Sequence, residues 1–549
     1  MTRPSASEDA SESSPQTRRA APDDDGESEL SAQDRRAATD ARPSGGGGNG
    51  SGNGNGNGSG NGNGSGNGNG NGDGDGDGSG SGSGSSGDRG RASEVSAQGR
   101  HAATAPRPGG LGGPSELSAQ IRLAIPLAAQ QVGFQLMGLV DAAMLGRYGD
   151  TALAAAGIGG NLLFAITSVG FGIVMGLDTV LPQALGAGRR EDARRLLGAG
   201  LRLAVLTGLF CTLLVLATPQ ILVWADVDPK VASDARVYID LRAFGIVPFL
   251  LSIALRSYFA AHNITRPLVV AVLLGNIANA LLDLVLIYGL GPIPAFGIAG
   301  AAIATVSVQI AIVVIYFAGV RALDGGTPRP ASTRADVLEV LRYGLPVGGH
   351  LFAEIGIFSL ATVLAAYMGK VPAAGHSIAL FLSSFTFSVA LGIGAATTVR
   401  VGHAIGAGDH RLARSRGLLG LRVGLCVMSV FAAVFVIAAR PLTRLFTADA
   451  TVIAATIPLM QIAALFQLSD GTQAIAAGAL RGIGDTRATF VGNVVGHYGI
   501  GLAISLTLAF GVGMGAPGLW WGLSAGLTAT AIYLVLRFLS RTAAPPPAR

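Results

Sequence analysis

Twelve long apolar segments follow one another from Leu117 onward, and this succession limits the fold more than any other feature of the chain. They fall near 117–146, 152–181, 196–218, 237–261, 267–289, 297–322, 338–367, 374–401, 416–439, 452–479, 488–511 and 516–540. Each is long enough to cross a hydrocarbon layer of ~30 Å at ~1.5 Å per helical residue. A single run of this kind reads equally well as a buried helix of a soluble protein, but twelve in succession do not. The runs lack the period-2 alternation of membrane strands, so the sequence predicts an all-α integral membrane protein with 12 transmembrane helices. Charge is too scarce for a soluble body. Only 13% of the 549 residues are charged, where soluble proteins carry about 25%.

Residues 1–115 are of another kind. Between Ser44 and Gly87 the chain uses only Ser, Gly, Asn and Asp, so it has no apolar side chains to offset the entropy of ordering. A disordered low-complexity tail over 1–115 is expected, with no apolar stretch of the signal-peptide type. The two Cys residues, Cys211 and Cys426, both lie in apolar runs and give neither a disulfide framework nor metal-ligand spacing. No phosphate-binding loop, GxSxG, HExxH or CxxC motif appears, so the chain is read as a non-enzyme without cofactor or nucleic-acid partner.

Basic residues orient the spans. With the N-terminus on one side, that side collects 22 of the 29 Lys and Arg after residue 115. They include Arg122, the run Arg189 to Arg195, Arg256, Arg266, Arg400, Arg411 to Arg422, Arg481 and Arg487. The other side collects seven: Arg147, Lys230, Arg236, Arg242, Lys370, Arg440 and Arg444. The rich side is expected to be cytoplasmic, with both termini there, in a bacterial-type inner membrane.

An internal repeat sets the architecture. Gly186-Ala187-Gly188 and Gly406-Ala407-Gly408 stand 220 residues apart, and Pro126/Pro346, Gly149/Gly369 and Gly200-Leu201-Arg202 with Gly420-Leu421-Arg422 keep that offset. Thr265-Arg266 pairs with Thr486-Arg487 at 221. Six spans per repeat return the chain to the same side, so two parallel six-helix lobes with pseudo-two-fold symmetry are expected. The lobes cover 116–323 and 338–541, joined by a linker at 324–337 and followed by a short tail at 542–549. The matched prolines near the starts of segments 1 and 7 are candidate bending points, Pro126 the stronger.

Four acids lie within apolar stretches: Asp141, Asp283, Glu354 and Asp470. A carboxylate at a helix centre costs about 2.5–3.5 kcal/mol on insertion scales, so such residues mark ion or proton pathways. Depth sorts them into Asp141 with Asp283 and Asn279 in the first lobe, and Glu354 with Asp470 in the second. Paired carboxylates in a low dielectric are suited to load and release a proton, or to exchange it for Na⁺. Few basic residues are placed at matching depth to neutralise them. Asp178, close to the end of segment 2, is expected at headgroups or in water. His350, His376, His403 and His497 show no ligand spacing, and His376 and His497 are read chiefly as packing residues.

Four stretches resemble the multidrug and toxic compound extrusion family, in particular its NorM-like and DinF-like branches. Leu139-Val-Asp-Ala-Ala-Met-Leu-Gly146 is similar to its VDTxxxG, and Asn279-Ala-Leu-Leu-Asp283 with Ile287-Tyr-Gly289 to its helix 5 ending. Val399-Arg-Val-Gly-His-Ala-Ile-Gly-Ala-Gly408 is similar to RVGxxxGAG, and Leu480-Arg-Gly-Ile-Gly-Asp-Thr-Arg487 to LRGxxDT. The resemblance implies a V-shaped cavity between the lobes and export of organic cations in exchange for H⁺ or Na⁺. It matches Asp141, Asn279 and Asp283 to a proton-linked cluster, and Glu354 and Asp470 to a cation site that holds Na⁺ in some relatives. Phe466 stands where those relatives have a Tyr that contributes to Na⁺ binding, which favours H⁺. Ser377, after His376, replaces a common Gln. Phe466, Ser377 and His376 are the candidate substrate contacts.

The reading is a monomeric antiporter of small cationic substrates surrounded by membrane lipid, with a lipid or lipid-linked glycan flippase as the alternative. The flippase would need a basic cavity, and the intramembrane charges are read as acidic. The tail should be dispensable. Deleting residues 1–110 is expected to leave transport per inserted molecule unchanged; loss of transport at normal membrane levels would contradict this.

Overall fold

The computed structural model describes residues 114–224 and 227–543, so all but the last two residues of the expected N-terminal tail, and residues 544–549, lie outside the described residues. The described chain is helical, and its single β-bridge joins Leu290 to Ile293. Eleven continuous spans and one bent span follow in order. They are α1 (Ser115–Tyr148), α2 (Asp150–Gly186), α3 (Arg190–Leu222), α4 (Pro229–Ala243 and Ile246–Ala261), α5 (Arg266–Tyr288) and α6 (Ile298–Leu323). After the linker come α7 (Arg334–Tyr367), α8 (Lys370–Gly406), α9 (His410–Ile437), α10 (Ala450–Ile483), α11 (Thr486–Gly511) and α12 (Ala516–Arg541).

Two boundaries differ from the sequence expectation. The span expected from 237 is helical from Pro229, capped by the Asp228 side chain, and it bends by 43° at Phe244–Gly245. The linker expected over 324–337 ends earlier, because α7 starts at Arg334. Thr333 and Asp336 there form a reciprocal cap: Asp336 N–H donates to Thr333 Oγ1 at 3.2 Å and Thr333 N–H to Asp336 Oδ2 at 2.7 Å. The linker is tied to α3, where Arg194 donates to the Thr327 and Pro328 carbonyls and Arg202 to the Ser332 carbonyl. Pro126 lies inside an unbroken α1.

The outer faces carry large apolar side chains, such as Leu206, Leu209, Phe210 and Leu213 on α3 and Leu273, Leu274, Ile277 and Leu281 on α5. In lipid these exposed residues provide no drive for helix association, so close packing and polar contacts must hold the helices together. Small residues meet where the halves touch. Gly172 of α2 lies against Gly348 of α7, and Gly392 of α8 lies against Ala128 of α1. Gly186 faces the His403 carbonyl, and Gly406 faces the Gln183 carbonyl. Every partner in these pairs is displaced by the repeat offset of 220, so the seam is two-fold symmetric.

Ion pairs follow the symmetry only in part, since Glu116 and Asp336 stand 220 apart while Arg195 and Arg416 stand 221 apart and Arg400 has Val180 at its equivalent position. Glu116 at the start of α1 pairs with Arg416 of α9 at 3.2 Å and with Arg400 of α8. Asp336 at the start of α7 pairs with Arg195 of α3 at 3.0 Å. Gln120 donates to Thr397 at 3.0 Å, Gln183 to the Gly482 carbonyl at 2.9 Å, and His403 Nε2 lies 2.8 Å from the Ala261 carbonyl oxygen. Among the described residues, every side-chain hydrogen bond between the two halves lies in the end of the bundle where α1 and α7 begin.

A side chain added to the seam should separate it. Gly186→Val and Gly406→Val would each push a methyl-bearing Cβ into a backbone carbonyl, and overpacking of this kind costs about 1–3 kcal/mol. Both variants are expected to melt several degrees lower in detergent than Gly138→Val, whose Cβ meets nothing within 4 Å. Equal melting of all three would refute the account of the seam.

Candidate functional site

In the first lobe, α1 and α5 bring Asp141, Asn279 and Asp283 together. One helical turn separates Asn279 from Asp283, so both face α1. The Asn279 amide donates to Asp141 Oδ1 at 2.5 Å and to Asp283 Oδ2 at 2.7 Å. Thr305 of α6, which the sequence reading did not include, places its hydroxyl 2.9 Å from Asp141 Oδ2. All four are buried. One amide thus bridges two carboxylates, while Asp283 Oδ1 and Asn279 Oδ1 have no partner.

In the second lobe Glu354 of α7 and Asp470 of α10 are both buried, and no hydrogen bond joins them. His350, one turn before Glu354, has Nε2 3.4 Å from Glu354 Oε2 and Nδ1 3.3 Å from the Thr489 carbonyl oxygen. Its spacing of four from Glu354 on one helix was the available signal. Gln467 and Gln473 stand three residues either side of Asp470 on the same face of α10. Both amides are buried without partners, as are Asn493, His497 and Glu354 Oε1. Unpartnered polar groups inside a membrane helix bundle mark space for water or an ion. Gln467 and Gln473 offer oxygens where Phe466 has none.

A cavity of about 40 Å³ lies between the lobes, lined by Gln131, Arg256, His350, Glu354, Gln473 and Arg481 among others. It has room for about three waters and no drug-sized molecule.

Several sequence expectations need correction. Asp178 is neither at headgroups nor in water: it is 4% exposed, 3.2 Å from Arg256 and 3.9 Å from Arg481. Those two arginines, counted as loop residues of the basic side, are buried within the bundle, as is Arg400. Intramembrane charge is therefore of both signs, and two arginines line the central cavity. Arg242, assigned to the opposite loops, lies in the last turn before the α4 bend with its Nε and Nη1 buried. The three candidate substrate contacts are not on this cavity. His376 is fully buried, accepting from Trp520 Nε1–H at 3.2 Å and bonded to Thr362 at 3.1 Å. Phe466 packs against Trp520 and Phe358 at centroid distances of 5.4 and 6.0 Å. Ser377 is exposed on α8.

Twelve spans in two related halves, with buried carboxylates in each, define a two-lobe membrane transporter fold. The MatE family model matches residues 126–285 and 346–507, two stretches whose starts are 220 residues apart. The chain belongs to this family, the MATE transporters. It is 36% identical over 439 residues to the probable multidrug resistance protein NorM of Deinococcus radiodurans, covering 78% of this chain and 96% of that protein. To the protein of the same name from Bradyrhizobium diazoefficiens it is 35% identical, covering 76% and 92%. The solved structure of the eukaryotic MATE transporter AtDTX14 superposes with a TM-score of 0.72 at 22% identity, covering 77% of this chain and 95% of that one. A MOP superfamily transporter from Pyrococcus furiosus superposes with the same score at 19% identity, covering 78% and 96%.

The Asp178 pairing yields a stability test. Asp178→Ala leaves two buried guanidinium groups uncompensated, and breaking a buried pair in this way costs about 3–5 kcal/mol. The variant is expected to be produced poorly and to melt early, with part of the loss recovered in Asp178→Ala/Arg481→Met. A single variant as stable as the parent would show that the triad carries no structural weight.

Proposed function

We propose that the protein is a secondary active multidrug efflux antiporter, exporting cationic, partly hydrophobic compounds in exchange for H⁺ by alternating access between its lobes. The carrying observation is the buried Asp141–Asn279–Asp283 bridge. Two carboxylates joined by one amide and shielded from water form a site with room for one proton between them. Na⁺ needs several oxygens to replace its hydration shell. In the first lobe Asn279 and Thr305 occupy most of the carboxylate oxygen atoms, which favours a proton. Glu354, Asp470, Gln467 and Gln473 offer more free oxygens, so Na⁺ coupling at the second lobe is the alternative to test. The names of the relatives support multidrug cargo.

We place the protein in a bacterial inner membrane as a monomer in lipid, with no cofactor and both termini cytoplasmic. Setting aside the buried Arg256, Arg400 and Arg481 and the half-buried Arg242 leaves nineteen basic residues on the rich side against six, so the asymmetry survives. The hydrogen-bonded end is then the cytoplasmic end, closed in this structure. A flippase for lipid-linked glycans gains one observation, since Arg256 and Arg481 line the central cavity as a phosphate would require. Asp178 already pairs with both, which favours the antiporter.

Proteoliposomes separate these readings. A pH gradient alone is expected to drive uptake of ethidium, with a Na⁺ gradient at constant pH adding little. Asp141→Asn and Asp283→Asn should each reduce pH-driven transport at least about tenfold at unchanged expression, because an amide cannot cycle a proton. Glu354→Gln and Asp470→Asn should each impair transport, the double variant being little worse than the poorer single. Full activity of both first-lobe variants between pH 6 and 8 would remove the proton assignment. Strong Na⁺ stimulation abolished by Asp470→Asn would replace the ion.

A further inference from the structure

On the outer face of the first lobe, α3, α4 and α6 leave an open recess of about 530 Å³. Its apolar wall includes Val205 and Leu206 of α3, Leu255 of α4, and Val313 and Phe317 of α6. Val205, Leu206 and Phe317 are exposed, so the recess opens onto the surrounding lipid. Of the described residues in the wall, Arg202 of α3 alone is charged. No charged residue follows it in α3, which runs on to Leu222. Arg202 therefore stands where the polar start of the helix gives way to hydrocarbon, at the end of the bundle where α1 and α7 begin.

The guanidinium is held at the recess but not neutralised there. Arg202 Nη1 donates to the Ser332 carbonyl at 2.8 Å, and the side chain is otherwise exposed. Asp324 is taken up by Arg194 at 3.8 Å and Arg329 at 3.6 Å, and Glu191 by Arg194 at 3.1 Å. Among the described residues Arg202 is left without an acidic partner. A second guanidinium borders the same wall, since Arg329 of the linker lies over the Phe317 ring at 5.3 Å from its centroid. A free arginine above an apolar hollow matches the two halves of a phospholipid, its phosphate and the upper part of an acyl chain. Its uncompensated charge selects a headgroup with net negative charge.

We propose that this recess binds one anionic phospholipid of the phosphatidylglycerol type, its phosphate on Arg202 and an acyl chain against Leu206, Leu255 and Phe317. Arg202 also holds the Ser332 carbonyl, and Phe317 carries Arg329, so a lipid seated here braces the linker between the lobes against α3 and α6. The inference does not depend on which ion is exchanged. It shares with the proposed function only the orientation, which puts the recess in the cytoplasmic leaflet, where anionic lipid is found. The second lobe supplies an internal control. The repeat places Arg422, also exposed, at the equivalent position on α9. The residue offset by 220 from Phe317 is Arg537, paired with Asp485 at 2.9 Å, so the apolar wall is not repeated.

The test uses the full chain, purified in detergent and stripped of lipid, with bound lipids counted by native mass spectrometry. Phosphatidylglycerol and phosphatidylcholine of the same acyl chains are supplied at equal concentration. The parent is expected to bind its first phosphatidylglycerol about fivefold more tightly than phosphatidylcholine, the preference that one arginine near an anionic group provides. Arg202→Gln should abolish that preference, and Arg202→Lys should keep it to within about twofold, since the charge remains. Arg422→Gln should leave it unchanged. Val205→Trp fills the recess with Arg202 intact and should also weaken phosphatidylglycerol binding, which keeps the proposal testable if Arg202→Gln fails to fold. Glycerol 3-phosphate, which has the phosphate but no chains, should not compete. Equal binding of the two lipids by the parent, or equal losses in Arg202→Gln and Arg422→Gln, would overturn the site. Full phosphatidylglycerol binding by Val205→Trp, or displacement of the lipid by glycerol 3-phosphate, would overturn the role of the recess.

Discussion

The fold depends on a seam at which the two halves approach closely enough for backbone to meet backbone. Apolar burial cannot supply this in lipid, where a leucine facing a neighbouring helix gains little over one facing an acyl chain. Gly172 against Gly348, Gly392 against Ala128, and the reciprocal contacts of Gly186 and Gly406 allow the approach. Glu116 with Arg400 and Arg416, and Asp336 with Arg195, then close it with ion pairs between the halves. Because these bonds gather at one end, the opposite halves of the same helices are free of lobe-to-lobe hydrogen bonds among the described residues. A molecule tied at one end only is built to open at the other.

That arrangement explains why the central cavity is so small and so mixed in charge. Where the lobes converge, Arg256 and Arg481 come from different halves and share Asp178. A shared carboxylate makes the seam a triad, so parting the lobes must leave at least one arginine without its partner unless water or a ligand replaces it. The cost of opening is then electrostatic as well as steric. That cost falls when water enters to solvate the separated charges.

Much of this was legible in the sequence. Span count, helicity and the offset of 220 followed from runs of apolar residues and repeated Gly-Ala-Gly, because a span needs only length and apolarity to be recognised. The first-lobe cluster was legible because Asn279 and Asp283 are one turn apart and Asp141 lies at matching depth. Thr305 was not, since a lone Thr in an apolar helix bonds its own backbone as readily as a neighbour. The arginines were misread for a different reason. Positive-inside counting treats a basic residue near a span's end as a loop residue, but Arg256 and Arg481 sit on helix turns that face the seam, where Asp178 from another span compensates them. Only the fold reveals that partnership. His376 and Phe466 were assigned to a substrate cavity by their place in a motif, whereas Trp520 draws both into the interior of the second lobe.

The two lobes differ in how their polar groups are satisfied, and the difference bears on how they act together. The first lobe bridges its carboxylates with Asn279 and Thr305, leaving Asp283 Oδ1 as the one carboxylate oxygen without a partner. The second lobe leaves the side chains of Gln467, Gln473, Asn493 and His497 without hydrogen-bond partners. Three of the four helices that carry the site's buried acids also end in the seam. Asp141 shares α1 with Glu116, Glu354 shares α7 with Asp336, and Asp470 shares α10 with Arg481. At ~1.5 Å per residue, a helix carries a displacement from acid to ion pair over roughly 17–38 Å without bending unless something breaks it. Coupling between a buried acid and the closed end therefore needs no chain of side-chain contacts, only helices stiff enough to move as units and a seam with two states to move between.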